Sequence, residues 1–128
     1  MTILNADRWI FSKLTEDQQL STALGGRVFS EIAPLDSEYP LSTFTLVSSQ
    51  QVSNLSSDRI MDTEIWQITI WDNENSYSRI EGIADRIRQV LHKDAGEGVI
   101  GCTFERQQRI TDHEGYRGVI LEFRLFTQ

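Results

Sequence analysis

Apolar and polar positions follow two periods along this chain, and the changes of period mark its elements. The clearest helical stretch precedes His92: Ile80, Ile83, Ala84, Ile87, Val90 and Leu91 recur every three or four residues, which gathers them on one stripe. Asn75 or Ser76 stands ahead of it as N-cap. The clearest strand is Ile60 to Asp72, where Trp66, Ile68 and Ile70 alternate with Ile65, Gln67, Thr69 and Trp71. Both of its faces carry large side chains, so both are expected to be covered. Thr43 to Gln50 alternates in the same way, with Phe44 and Leu46 opposed to Thr43, Thr45 and Val47.

Towards the N-terminus, Ala6, Trp9, Ile10, Lys13 and Leu14 fall at helical spacing behind Asn5, which is expected to cap them. Thr15 with Gln18 three residues on forms a capping box and predicts a second short helix carrying Leu20, Ala23 and Leu24 inward. Gly25-Gly26 stops that helix, because glycine enters the left-handed conformation without a Cβ clash. Arg27 to Ile32 reads as a short strand ended by Pro34. Gln51 to Arg59 is rich in Ser and Asn and lacks apolar periodicity, which predicts a long hairpin loop.

After the main helix, Asp94 to Gly98 reads as a turn, and Val99 to Arg109 and Arg117 to Thr127 as a terminal hairpin across TDHEG. The order α, α, β, β, β, α, β, β predicts an α+β fold: a single, mostly antiparallel sheet with helices packed on one face. The 128 residues suit one domain over 1–128. Ile83, Ile87, Trp66, Ile68, Leu121 and Phe123 are expected to meet in its core.

Charge narrows the function classes. Nineteen acidic residues against twelve basic ones give a formal charge of −7, which opposes sequence-blind binding of nucleic acid. Ten of the twelve cations are arginines, the side chain suited to fixed-geometry protein contacts. No apolar run approaches the ~18 residues of a membrane span. The opening MTILNADRWIF lacks a basic, cleavable leader, so the chain is expected to stay in the cytosol, and lone Cys102 has no internal disulfide partner.

Candidate chemistry is sparse. Gly96-Glu97-Gly98-Val99-Ile100-Gly101 has glycines at dinucleotide-binding spacing but follows a helix and opens a strand, the reverse of the order that brings phosphate to a helix N-terminus. It reads as a turn. His92, His113 and Cys102 lie on different elements without the close ligand pair of a metal site, and His92 suits a helix end. No catalytic residue, cofactor or metal is therefore assigned.

Two features point outward. Gly82 lies opposite the apolar stripe of the main helix, where glycine costs about 1 kcal/mol relative to alanine; close approach of another backbone would justify it, and loose constraint at a surface position would equally allow it. The second sheet face mixes Thr43, Thr45, Gln67, Thr69, Thr103, Glu105, Glu122 and Arg124 with bulky Ile65, Trp71 and Ile120. Ile65, Trp71, Gly82 and Ile120 are the candidate subunit interface, and Asn54, Leu55, Asp58 and Arg59 of the loop are candidate partner contacts.

Leu20, Leu24-Gly25-Gly26-Arg27-Val28-Phe29, Pro34 and Pro40, followed by Thr63-Glu64-Ile65-Trp66-Gln67-Ile68-Thr69-Ile70-Trp71, Ile83-Ala84-Asp85-Arg86-Ile87 and Leu91-His92, resemble the tail-completion, or tail-terminator, family of long-tailed phages. The resemblance covers nearly the whole chain in element order; from Gly98 on it matches as a strand pair. It implies a non-enzymatic virion protein, of phage or prophage, that assembles in the host cytoplasm. Its subunits would form a homo-oligomer, a hexameric ring, that caps the tail tube and meets both the tail-tube protein and the head connector or stopper. DNA would pass the bore without specific binding, which an acidic lining favours. Another phage neck or tail-tube subunit, and a small α+β ligand-binding domain, are the alternatives.

Overall fold

The computed structural model describes residues 2–52, 61–96 and 98–127. In chain order the elements are α1 (Thr2–Glu16), α2 (Gln18–Leu24), β1 (Val28–Ser30), β2 (Leu41–Val52), β3 (Met61–Asp72), α3 (Ser78–Leu91), β4 (Val99–Thr111) and β5 (Arg117–Thr127). The strands form one sheet in the order β1-β2-β3-β5-β4, antiparallel throughout except for the β1–β2 pair. The expected α+β architecture is the observed one.

Alternation along β3 decides where the core lies. Glu64, Trp66, Ile68, Ile70 and Asp72 are buried, and the residues between them are half-buried. Ile80, Ile83, Ala84, Ile87 and Leu91 of α3 and Ala6, Trp9, Ile10 and Leu14 of α1 close over that face, together with Val119, Leu121, Phe123 and Leu125 of β5. All six residues expected to meet in the core belong to this cluster, and Val90 packs at its margin. The helices are tied down by charge as well: Lys13 of α1 reaches Asp94 at 2.6 Å, and Arg86 of α3 clasps Asp17 ahead of α2 at 2.6 and 3.0 Å.

The ends of several elements differ from expectation. α1 begins at Thr2, so Asn5 lies inside the helix rather than capping it; no proline or glycine near it stops the backbone. Thr15 does not cap α2, because it still belongs to α1 and its hydroxyl donates to the Phe11 carbonyl one turn back. The cap is Asp17, in extended conformation, whose carboxylate accepts from the Leu20 amide at 3.1 Å. Gly25 ends α2 at φ 59°, as its sequence position required. β1 is shorter than Arg27 to Ile32 because Glu31 turns to φ 71°, outside the extended region. β2 begins at Leu41 and runs to Val52, so Gln51 and Val52 are strand, and residues 53–59 of the expected loop, with Asn54, Leu55, Asp58 and Arg59, lie outside the described residues. Tyr77 occupies the N-cap position of α3 without a side-chain capping bond, its hydroxyl donating instead to the Ile110 carbonyl; the Ser76 hydroxyl accepts from the Ser78 amide.

A carboxyl group sits within the core face. Glu64 is fully buried, and its Oε1 accepts from Trp66 Nε1 at 2.8 Å. Burial pushes its pKa up, Asp62 and Asp7 add to the rise, and hydrogen bonds from Trp66 and Thr127 oppose it. A carboxyl raised in the folded state stabilises the fold fully below the unfolded pKa, about 4.3, and loses that contribution as pH climbs through the folded value. Urea unfolding from pH 4 to pH 7 should therefore show Glu64→Gln gaining on the parent chain as pH rises. Parallel curves would mean that Glu64 titrates alike in both states.

Candidate functional site

The outer face of the sheet, turned away from the helices, collects three of the four candidate interface residues, Ile65, Trp71 and Ile120. Strand register places Thr69 beside Ile120, Trp71 beside Gly118, and Ile65 beside Arg124. Ile65, Trp71 and Ile120 thus share one surface, half-buried, with Ile120 diagonal to Trp71. Gly118 is what allows the Trp71 ring to lie flat: a Cβ there would stand 3.0 Å from Trp71 Cε3 and Cζ3 and from Ile110 Cγ1. The ring also walls a groove of about 450 Å³ that continues past Leu41 and Thr43 to Tyr39 and Tyr116, whose ring centroids lie 5.2 Å apart at a 36° tilt.

Towards β4 the same face becomes a lattice of paired charges. Arg106 donates to Glu122 at 3.2 Å and to Gln108 at 2.7 Å, Gln67 donates to Glu122 at 3.3 Å, and Arg124 meets Glu105 at 3.5 Å. Burial works to raise the Glu122 carboxyl, but the bonds from Arg106 and Gln67 outweigh it and hold the group below the usual carboxylate range. The face thus carries bulky Ile65, Trp71 and Ile120, ion pairs on the β4 side, and the carboxylates of Glu31, Asp112 and Glu114 along the groove beside Trp71.

Gly82 is not part of this patch. It is exposed on α3 in the helical layer, with open space where a Cβ would stand, beside a cleft of about 270 Å³ lined by Leu20, Ala23, Arg79 and Arg86. The structure thus separates the four candidate residues onto two surfaces.

The reactive side chains are placed as follows. Cys102 is buried, and its thiol is pushed up to about 12, chiefly by burial, so it is not a thiolate at neutral pH. His92 forms the C-cap of α3, and its Nδ1 accepts the Phe104 amide at 3.0 Å, which puts the proton of the neutral ring on Nε2. His113 is almost wholly exposed on the β4–β5 turn. Gly96 and Gly98 adopt positive φ between α3 and β4, as a turn requires. Among the described residues, no group of His, Cys, Asp or Glu is arranged to hold a metal ion, and no helix is long and apolar enough to cross a membrane.

The family model described as "Tail completion protein gp17" matches residues 8–128. The chain belongs to that family. As a tail-completion protein it is a structural component of a phage-type virion. Its fold is shared with a chain from a solved structure described as "Virion of native gene transfer agent (GTA) particle". That match has a TM-score of 0.74 at 14% identity and covers 92% of this tail-completion protein and 90% of that chain. No curated protein matches it.

Two features of the site escaped the sequence reading. The Tyr39–Tyr116 pair joins residues far apart in the chain. Arg88 lies over the Phe104 ring with its guanidinium carbon 4.1 Å from the centroid. Nothing in the local pattern around Arg88, which has Asp85 three residues before it as a pairing candidate, signals the second.

Proposed function

We propose that this tail-completion protein is a tail terminator: a non-enzymatic subunit of a hexameric ring that caps the tail tube and joins it to the head connector. The observation that carries this reading is the family match across residues 8–128. The shared fold with a chain of a gene transfer agent virion supports it.

A closed ring needs two different patches on each subunit that meet around the axis. The half-buried Trp71–Ile120 surface, with Ile65 nearby, is offered as one of them. Gly82, in the helical layer, is offered as a point of close approach. Asn54, Leu55, Asp58 and Arg59 are offered as contacts to a neighbouring subunit or the tail tube. The charge of −7 suits a bore through which DNA slides without adhering.

The mass of the purified protein, by light scattering and sedimentation, together with electron micrographs, tests the reading. Rings are expected alone or on added tail-tube protein. Ile120→Glu should remain a folded monomer under the same conditions, because closing the face over it would bury a charge without a partner. A parent chain that stays monomeric at high concentration and in the presence of tail-tube protein would remove the terminator reading. Normal rings from Ile120→Glu would remove only the chosen patch.

A further inference from the structure

The connection between β1 and β2 displays apolar side chains outward. Leu35 is 93% exposed and Ile32 81% exposed. This segment is held in shape rather than loose. Glu31 and Asp36 take positive φ, the Glu31 amide donates to the Phe44 carbonyl, Ser37 donates to the Pro34 carbonyl at 2.6 Å, and Arg27 Nε donates to the Pro40 carbonyl at 2.9 Å. Residues 31–40 include Glu31, Asp36 and Glu38 and no Lys or Arg, so the projection is both apolar and acidic. Two large apolar side chains held outward within one short segment form a surface that a covering partner would take out of water.

A cleft of complementary character exists elsewhere on the same chain. Asp85, Arg88, Gln89, His92 and Phe104 line a depression of about 370 Å³, in which one carboxylate stands among the donors. The Arg88 guanidinium is stacked on Phe104, and among the described residues neither Arg88 nor neighbouring Lys93 has a carboxylate partner. His92 Nδ1 is occupied by the Phe104 amide, which leaves Nε2–H as a further donor. An aromatic wall beside an unpaired guanidinium fits a ligand with an apolar side chain next to a carboxylate.

Position decides the occupant. The acidic projection follows β1, the edge strand on one side of the sheet, and Phe104 lies on β4, the edge strand on the other. Projection and cleft are thus separate surfaces of one subunit, the first sharing a groove with Tyr116 after the β4–β5 turn and the second lined from α3 and β4. The geometry points to a heterologous contact in which Leu35 of one copy packs on Phe104 of its neighbour while Asp36 or Glu38 meets Arg88 and the His92 Nε2–H. This deepens the terminator reading and rests on it, since such a contact repeats head to tail and closes when the rotation permits.

Sedimentation velocity over a concentration series tests it, with near-UV circular dichroism to check folding. Three chains are compared with the parent: Arg88→Glu, Leu35→Asp, and the double variant Asp36→Arg with Glu38→Arg. All of these side chains are at the surface, and because Asp36 holds a positive φ, Glu38→Arg alone is run beside the double variant to separate loss of charge from backbone strain. Each variant alone is expected to need at least tenfold more protein to assemble, and an equimolar mixture of Arg88→Glu with the double variant is expected to recover assembly through the exchanged charges. Assembly of every variant at the parent concentration would overturn this contact and leave the ring reading intact. Unchanged self-assembly with loss of binding to tail-tube protein would overturn the second copy as occupant in favour of the tube. A parent chain that never assembles would overturn both.

Discussion

Replacing Ile87 with alanine is expected to cost about 2–5 kcal/mol of unfolding free energy, the range for truncating a fully buried aliphatic side chain that leaves a void. Ile87 sits in the middle of the α3 stripe with no exposed surface, in one apolar cluster with the β3 and β5 side chains. Neighbours there cannot collapse into the gap without moving the helix off the sheet, so the upper half of the range is expected. Urea unfolding of the purified variant measures it. A loss below about 0.5 kcal/mol, the value for surface positions, would mean that the site is not core.

Asp72→Ala should cost about 2–4 kcal/mol for a different reason. The Asp72 carboxylate is completely buried at the end of β3 and accepts Nε and a terminal nitrogen of Arg79 at 3.1 and 2.6 Å, along with the amides of Asn73 and Glu74. One side chain thus shapes the turn into α3 and anchors that helix through its first-turn arginine. Removing it strands two amides and leaves the guanidinium only the more exposed Glu74, at 3.5 Å. The diagnostic is non-additivity: once Asp72 is alanine, adding Arg79→Met should cost little more, because both changes remove the same interaction. Fully additive losses would show that the pair does not act as a unit.

How far the sequence reached can be argued element by element. The α3 stripe was legible because a helix that buries one side must repeat at 3.6 residues, and Ile80 through Leu91 do so without interruption. β3 was legible for the same reason at period two, and its alternation from Trp66 backwards already places Glu64 on the core face. The α2 cap was misplaced because Thr15, Glu16 and Asp17 are all polar. What favours Asp17 is Arg86, 69 positions away, and no local pattern carries a contact at that separation. Gly82 and Ile120 looked alike as outward oddities. Only the folding of α3 onto the opposite side of the sheet separates them. The Leu35 projection was invisible as such, because exposure of an apolar residue between two prolines depends on the path of the backbone in space.

The irregularities of β4 bear on how subunits behave before they are built into anything. β4 is a thirteen-residue strand at the open edge of the sheet, the kind of edge on which another chain could lay a strand without limit. Its pairing with β5 slips twice, between Val99 and Gly101 and between Phe104 and Arg106, and Glu105, Arg106 and Arg109 stand along it. A ladder broken at two points and studded with charge is a poor template for backbone pairing, so fibre growth through this edge is disfavoured. Association is left to side-chain surfaces, which can be saturated, and a crowded pool of free subunits can stay in solution until a partner of the right shape arrives.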